Sequence, residues 1–194
     1  MTESSAMDSD RPSDDPVVQP VLSPPNKRSP SGMRKELLDD GHPRLASRLL
    51  QSRVGRDKQR YDGCTRLLAC IVVSRRRLNA DEFLLISSSK HPTQWILPKG
   101  GWENDESVVE SALREADEEA GVTGDIVGSL GTLDFASQQG KPCRFYGFKL
   151  ATTQVFSDWA ENTRQRKWVC LDEARELLQH RPELIEMVSR AAAL

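Results

Sequence analysis

At 194 residues the chain has room for one ordinary domain plus extensions. Its 27 basic and 29 acidic residues give a formal net charge of -2, so no charge bias points to a stable nucleic-acid partner or a membrane surface. Four scattered cysteines, with no C-x-x-C pair and no metal spacing, exclude a disulfide scaffold and point to a reduced intracellular compartment, the cytoplasm and also the nucleus.

Residues 1–10 are acidic and polar and lack an apolar signal segment, and the longest apolar run, residues 67–73, is far too short for a membrane span. Residues 1–32 are rich in Pro, Ser and Asp, with too little apolar surface to offset the entropy of ordering, so disorder is expected. Residues 33–54 admit short helical turns, broken at Gly41 and Pro43. Residues 1–55 are therefore taken as an N-terminal extension and 56–194 as the folded domain. Strands are expected at 66–74 and 82–87, joined by a largely polar turn over 75–81, with a short third strand at 95–97. A helix follows from about 105 to 120, with Val109, Ala112, Leu113 and Ala116 as its apolar stripe and Gly121 as the glycine that ends it. Further strands are expected at 125–135, 143–150 and 167–171, then a helix at 172–180 and a last one opened by Pro182 and running through 193. Cys70 and Cys170 fall inside apolar runs and read as core residues. Strands interrupted by one helix and closed by others suggest the α/β class, an α/β/α sandwich with a mixed sheet.

The most informative stretch is residues 100–122. It satisfies the pattern G-x5-E-x7-R-E-U-x-E-E-x-G-U, where U is a small or aliphatic residue. On a helix, Glu115, Glu118 and Glu119 stand at i, i+3 and i+4, so three carboxylates crowd one face. Like charges at these spacings cost roughly 0.2–0.5 kcal/mol per pair, and a cation is needed to offset them. Oxygen-only ligands on a rigid helix suit a hard divalent ion, Mg²⁺ or Mn²⁺. An isolated E-x-x-E-E face is usually solvated surface. Seven fixed identities together match by accident on the order of 10⁻⁸ per window, which decides against that reading.

The pattern is the Nudix box, and the chain resembles a Nudix hydrolase. Hydrolysing a phosphoanhydride needs charge neutralisation, an activated water and a base within hydrogen-bond reach. The resemblance implies Glu115 and Glu119 as metal ligands, joined by the backbone carbonyl of Lys99, and Glu118 as general base. It implies that Gly100 and Gly101 turn backbone N–H groups toward the phosphates. Arg114 and Glu106 read as structural, one orienting the glutamates and the other bracing the loop. There is no P-loop, no G-x-G-x-x-G unit and no nucleophilic triad, and His91 reads as part of a turn with Pro92.

The box names a reaction class, and the substrate is read from its flanks. Arg60, Arg66, Lys90, Lys99, Lys141, Arg144, Arg164, Arg166, Lys167 and Arg181 recur in the segments around it. A densely phosphorylated ligand needs many cations, preferably arginines that fork onto phosphate oxygens. Residues 84–101 and the run Arg60-Tyr61-Asp62-Gly63 resemble the diphosphoinositol polyphosphate phosphohydrolases. Arg181-Pro182-Glu183-Leu184 is similar to their fungal branch, whose members also cleave diadenosine penta- and hexaphosphates. By that resemblance the phosphate contacts are Arg60, Arg66, Ser88, Ser89, Lys90, Lys141, Arg144, Arg164, Arg166 and Arg181. Lys99 stands where the animal enzymes have glycine, and residues 136–141 lack their denser basic run.

The expected activity is metal-dependent removal of the β-phosphate from diphosphoinositol polyphosphates, with dinucleoside polyphosphates and inorganic polyphosphate as further substrates. Two alternatives stand beside it. One is a dedicated dinucleoside polyphosphate hydrolase or mRNA-decapping enzyme, for which Tyr61, Trp95 and Trp102 are the aromatics free to stack on a base. The other is a catalytically silent module that binds an inositol phosphate, against which the intact Glu115, Glu118 and Glu119 argue. The sequence leaves oligomeric state open.

Overall fold

The computed structural model describes residues 51–194. The disorder expected over 1–32 and the helical turns over 33–50 lie outside the described residues, and residues 51–54 carry no regular structure.

The centre of the domain is β2 (Thr65–Arg77), in which residues 67–73 are buried at every position. A strand buried without alternation has both faces covered, as the middle layer of a sandwich requires. It pairs in parallel with β7 (Pro142–Val155) and antiparallel with β3 (Ala80–Ser87) and β5 (Lys99–Gly101). Antiparallel pairings add β6 (Val122–Ala136) to β7, and β4 (Trp95–Ile96) and β8 (Arg166–Val169) to β3. The two-residue β1 (Tyr61–Asp62) folds back on the start of β2. Helix α1 (Val108–Ala120) packs on β2 and β5, α3 (Pro182–Ala192) on β6 and β2, and α2 (Leu171–Leu177) on β3 and α3. The result is the α/β/α sandwich with a mixed sheet that the sequence suggests. No helix among the described residues is long and apolar enough to cross a membrane.

Several local expectations are corrected. The polar turn over 75–81 is mostly strand: β2 runs to Arg77 and β3 starts at Ala80, so only Leu78 and Asn79 turn. Both have positive φ, 48° and 66°, the backbone that matches the twist of a two-residue hairpin. Arg75 faces Glu82 and Arg76 faces Asp81 across the ladder, so opposite charges carry the polar residues of the hairpin. Helix α1 starts at Val108, because Ser107 and Glu110 form a capping box that satisfies the first backbone donors. Its buried stripe is Ala112, Ala116 and Ala120, while Val109 and Leu113 stay partly exposed. The helix is rotated so that Ser111, Glu115 and Glu119 also point inward, which is tolerable because each finds a polar partner there. Cys70 is in the core as expected, but Cys170 is exposed at the N-cap of α2, where the chain leaves the sheet.

Candidate active site

Two elements bring the box together. The loop from Pro98 into β5 crosses beneath α1, held to β2 by Pro98 O accepting from Ile71 N–H at 3.0 Å and by the pairing of Gly100 with Ala69. Helix α1 is fixed at both ends, by the Ser107–Glu110 box and by Gly121, whose left-handed φ of 61° lets its N–H close on Ala116 and Asp117 carbonyls.

Between these fixed ends the three glutamates take separate partners. Glu119 accepts from the backbone N–H of Lys99 and from Arg164 Nη2, both at 2.8 Å. Glu115 accepts from Arg114 Nη1 at 2.8 Å and lies directly against Gly100. Glu118 accepts from the same Arg114 nitrogen at 3.3 Å and from the backbone N–H of Arg53 at 3.4 Å. Arg114 also forks onto Glu106 at 2.7 and 2.9 Å and donates to Gly101 O at 3.0 Å. Glu106 in turn accepts from Glu103 N–H. Arg114 thus bridges Glu115 and Glu118 and ties them to the loop before α1 through Glu106.

Burial dominates the electrostatics. It pushes the carboxyls of Glu115, Glu118 and Glu119 above the ordinary glutamate range, and in Glu115 the charge of Glu119 adds to the effect. Arg114 pulls Glu118 part of the way back. Glu106 moves the other way: its burial is outweighed by the Arg114 fork, and its carboxyl sits below the ordinary range. Burial pulls the Lys99 ammonium down, with the nearby Glu119 opposing the shift. Three oxygen donors whose charged forms are disfavoured until a cation arrives fit a hard divalent ion such as Mg²⁺. Among the described residues no three acidic, histidine or cysteine side chains converge on one point; each carboxylate takes an arginine or a backbone N–H as its partner instead.

The glutamates line a cavity of about 670 Å³, within the usual range for a small-molecule site. Of the expected substrate contacts, Arg66, Ser88, Ser89, Lys90, Gly100, Gly101, Lys141, Arg164 and Arg181 also line it. Arg164 is committed within the fold, donating to Glu161 Oε2 at 2.6 Å and Ser87 O at 3.2 Å besides Glu119. Arg181 pairs with Glu183 at the start of α3. His91 lines the cavity from a turn closed by Gln94 N–H on its carbonyl, as its place before Pro92 suggested.

Three of the expected contacts lie off the cavity. Arg60 stacks over Trp102 at 4.6 Å and donates to the carbonyls of Glu103 and Asn104. Arg144 pairs with Asp134 and Asp62. Both have cavity-lining residues on each side, Gln59 and Tyr61 for one, Cys143 and Phe145 for the other. Successive side chains of extended backbone point to opposite sides, so the residue between two lining residues faces away. Arg166 instead closes the C-terminal end of α1, donating to Ala120 O at 3.0 Å and Phe156 O at 2.9 Å while its guanidinium lies 3.9 Å from the Trp159 ring centre.

The sequence reading missed Arg53, Arg56, Gln59 and Glu161, all of which line the cavity. Arg53 sits in the segment assigned to the extension, and Arg56 stands at the first position of the expected domain with no motif to mark it. Glu161 lies in the connection between β7 and β8, where no periodicity marks it.

Comparison with known proteins agrees with this geometry. A model of the NUDIX domain matches residues 65–191. Nudix hydrolase 21, chloroplastic, from Arabidopsis thaliana is 44% identical over 137 residues, covering 68% of this chain and 69% of that protein. Diphosphoinositol polyphosphate phosphohydrolase 3-alpha of Mus musculus is 36% identical over 133 residues, 66% of this chain and 79% of that one. Among solved structures, a C. elegans Ap4A hydrolase binary complex superposes with a TM-score of 0.52 at 26% identity, over 66% of this chain and 95% of that one. With the box in place on α1 and the family match running from the start of β2 into the last turn of α3, the chain belongs to the Nudix hydrolase family.

Proposed function

We propose that the chain is a metal-dependent phosphoanhydride hydrolase that removes the β-phosphate of diphosphoinositol polyphosphates and also cleaves diadenosine penta- and hexaphosphate and inorganic polyphosphate. One observation carries the reading. A single cavity is lined both by the three box glutamates and by the cations Arg66, Lys90, Lys141 and Arg181. A mononucleotide needs few cations; an inositol ring with a phosphate on most carbons needs many. The similarity to the mouse phosphohydrolase points the same way.

Glu115, Glu119 and the carbonyl of Lys99 would hold Mg²⁺ or Mn²⁺. When bound, the ion neutralises phosphate charge and lowers the pKa of a water. The chain's own residues do the rest. The four cations and the serine hydroxyls of Ser88 and Ser89 fix the phosphates of the ring. Glu118 accepts the proton of the attacking water, and burial, which raises its carboxyl above the ordinary glutamate range, makes it a stronger base than a free glutamate. As the water oxygen bonds to phosphorus, the anhydride P–O bond breaks, leaving inorganic phosphate and the inositol phosphate. Arg114, whose one nitrogen bridges Glu115 and Glu118, offsets the repulsion between them and holds them aimed while this happens.

A second reading, a dedicated dinucleoside polyphosphate hydrolase, is favoured by Tyr61, which lines the cavity with 52% of its surface exposed and could stack on a base. Rates on a diphosphoinositol pentakisphosphate, diadenosine hexaphosphate and capped RNA separate the readings. The proposal expects the highest kcat/KM on the first. A preference for diadenosine hexaphosphate that Tyr61→Ala removes favours the second, and binding without turnover favours a silent module.

A further inference from the structure

The cavity has a wall that does not belong to the matched domain. The family match begins at residue 65. Residues 51–57 precede it, carry no regular secondary structure over 51–54, and contribute Arg53, Gly55 and Arg56 to the cavity lining.

The segment is tied down along the acidic side of the site. Ser52 Oγ donates to Glu161 Oε1 at 3.2 Å, and the backbone N–H of Arg53 faces Glu118. The Arg53 guanidinium reaches the loop before α1, donating to Glu103 and, at 3.0 Å, to Asp105. Lys58 grips the same Asp105 at 2.7 Å, and Gln59 bridges to Glu103 and donates to Leu67 O, fixing the far end. Held in this way, Arg56 is close enough to Arg66 for its charge to depress the Arg66 guanidinium, an effect second to burial. Two guanidinium groups in one cavity repel each other, and an anion between them removes the cost.

Resting on the substrate reading above, we propose that residues 51–57 form a substrate-binding strap, with Arg56 as a phosphate contact opposite Arg66 and Arg53 as the positioning residue that anchors it to Glu103 and Asp105. The strap would extend the cation set beyond the family domain. It would therefore favour substrates with several phosphate groups spread over a ring or chain over those with a single anhydride. Arg53 touches no phosphate in this scheme. Its acidic partners Glu103, Asp105 and Glu106 already hold its guanidinium, which is why anchoring rather than contact is assigned to it.

The test uses the full chain and inositol hexakisphosphate as a non-hydrolysed probe, titrated by calorimetry, beside steady-state kinetics on a diphosphoinositol pentakisphosphate and on inorganic pyrophosphate. Arg56→Ala is expected to weaken inositol hexakisphosphate binding about tenfold and to raise KM on the inositol substrate, with the change on pyrophosphate under about twofold. Arg56→Lys should recover part of the loss. Arg53→Ala and Asp105→Asn should each raise KM by a few-fold at unchanged kcat, and the double variant should fall short of the product of the two, because they share the Arg53–Asp105 contact. Loss of binding on Arg66→Ala with none on Arg56→Ala overturns the strap and leaves the substrate reading standing. Wild-type protein that does not bind inositol hexakisphosphate overturns that reading, and the strap with it. A rise in kcat on Arg53→Ala would show that the segment obstructs Glu118, and would also overturn the strap.

Discussion

Glu115 and Gly100 are in a contact that no other residue at 100 permits: a Cβ placed on Gly100 would lie 2.0 Å from Glu115 Oε1. The buried carboxylate therefore occupies the space a side chain would take, and the β5 turn and α1 can approach only because that space is free. Gly100→Ala must push Glu115 aside by more than an ångström. A displacement of that size typically costs on the order of 10²-fold in turnover. The expected outcome is that loss of kcat, with a fold still cooperative by calorimetry. Full kcat in the variant would show that the placement of Glu115 is not critical.

Arg166 is the second test, because the sequence and the structure assign it differently. As a substrate contact it would affect KM and leave stability alone. As the latch on Ala120 and Phe156 carbonyls with Trp159 beneath it, it contributes charge-assisted hydrogen bonds and a cation–π contact. Arg166→Ala is expected to lose about 2–4 kcal/mol of stability, a drop of roughly 5–12 °C in Tm for a domain of this size. A raised KM at unchanged Tm would restore the phosphate-contact role.

Ser107 makes a smaller and cleaner prediction. Its hydroxyl accepts from Glu110 N–H at 3.2 Å, and Glu110 returns a bond from Ser107 N–H at 2.7 Å. Ser107→Ala removes one half of that box and should cost about 1 kcal/mol, read as a shift in the urea midpoint at constant m. The variant should keep most of its kcat, because the glutamates lie two and three turns further on.

The pH dependence of stability follows from the buried carboxyls. Burial raises Glu115, Glu118 and Glu119 above the 4.5 of an unperturbed glutamate. At pH values between 4.5 and the raised values the folded state therefore binds more protons than the unfolded one. Stability from these groups is full below pH 4.5 and is lost as pH rises through the folded values. Metal-free protein should melt lower at pH 8 than at pH 5.5. Saturating Mg²⁺ should restore Tm, and more so at pH 8, because the ion binds the deprotonated form. Glu115→Gln should flatten the metal-free profile. A Tm that rises steadily across this window in EDTA would contradict the assignment.

The reaction class was legible in the sequence because it depends on local spacing. Glu115, Glu118 and Glu119 are fixed on one helix face by the 3.6-residue period, and Gly121 marks the end of that helix in the chain itself. The orientation of α1 was not legible. The apolar letters Val109 and Leu113 suggested one face, but Arg114, Arg164 and the Lys99 N–H made it favourable to bury Glu115 and Glu119 on another. The substrate rim was legible only in part, for the same reason. A lysine or arginine near the box in sequence faces the cavity only if its strand parity allows, so Arg66 does and Arg60 and Arg144 do not. Arg53 was hidden because it stands just before the expected domain start, and Arg56 because a lone arginine at that start carries no motif or periodicity.

The central claim is that Glu118 acts as base on a polyphosphate held in this cavity. Its most direct test is phosphate release from a diphosphoinositol pentakisphosphate with Mg²⁺ present, comparing wild type with Glu118→Gln at matched folded content. Glutamine keeps the shape and cannot take a proton, so kcat should fall roughly 10²–10⁴-fold while inositol hexakisphosphate binding stays near wild type. A Glu118→Gln variant that turns over within a few-fold of wild type would contradict the account.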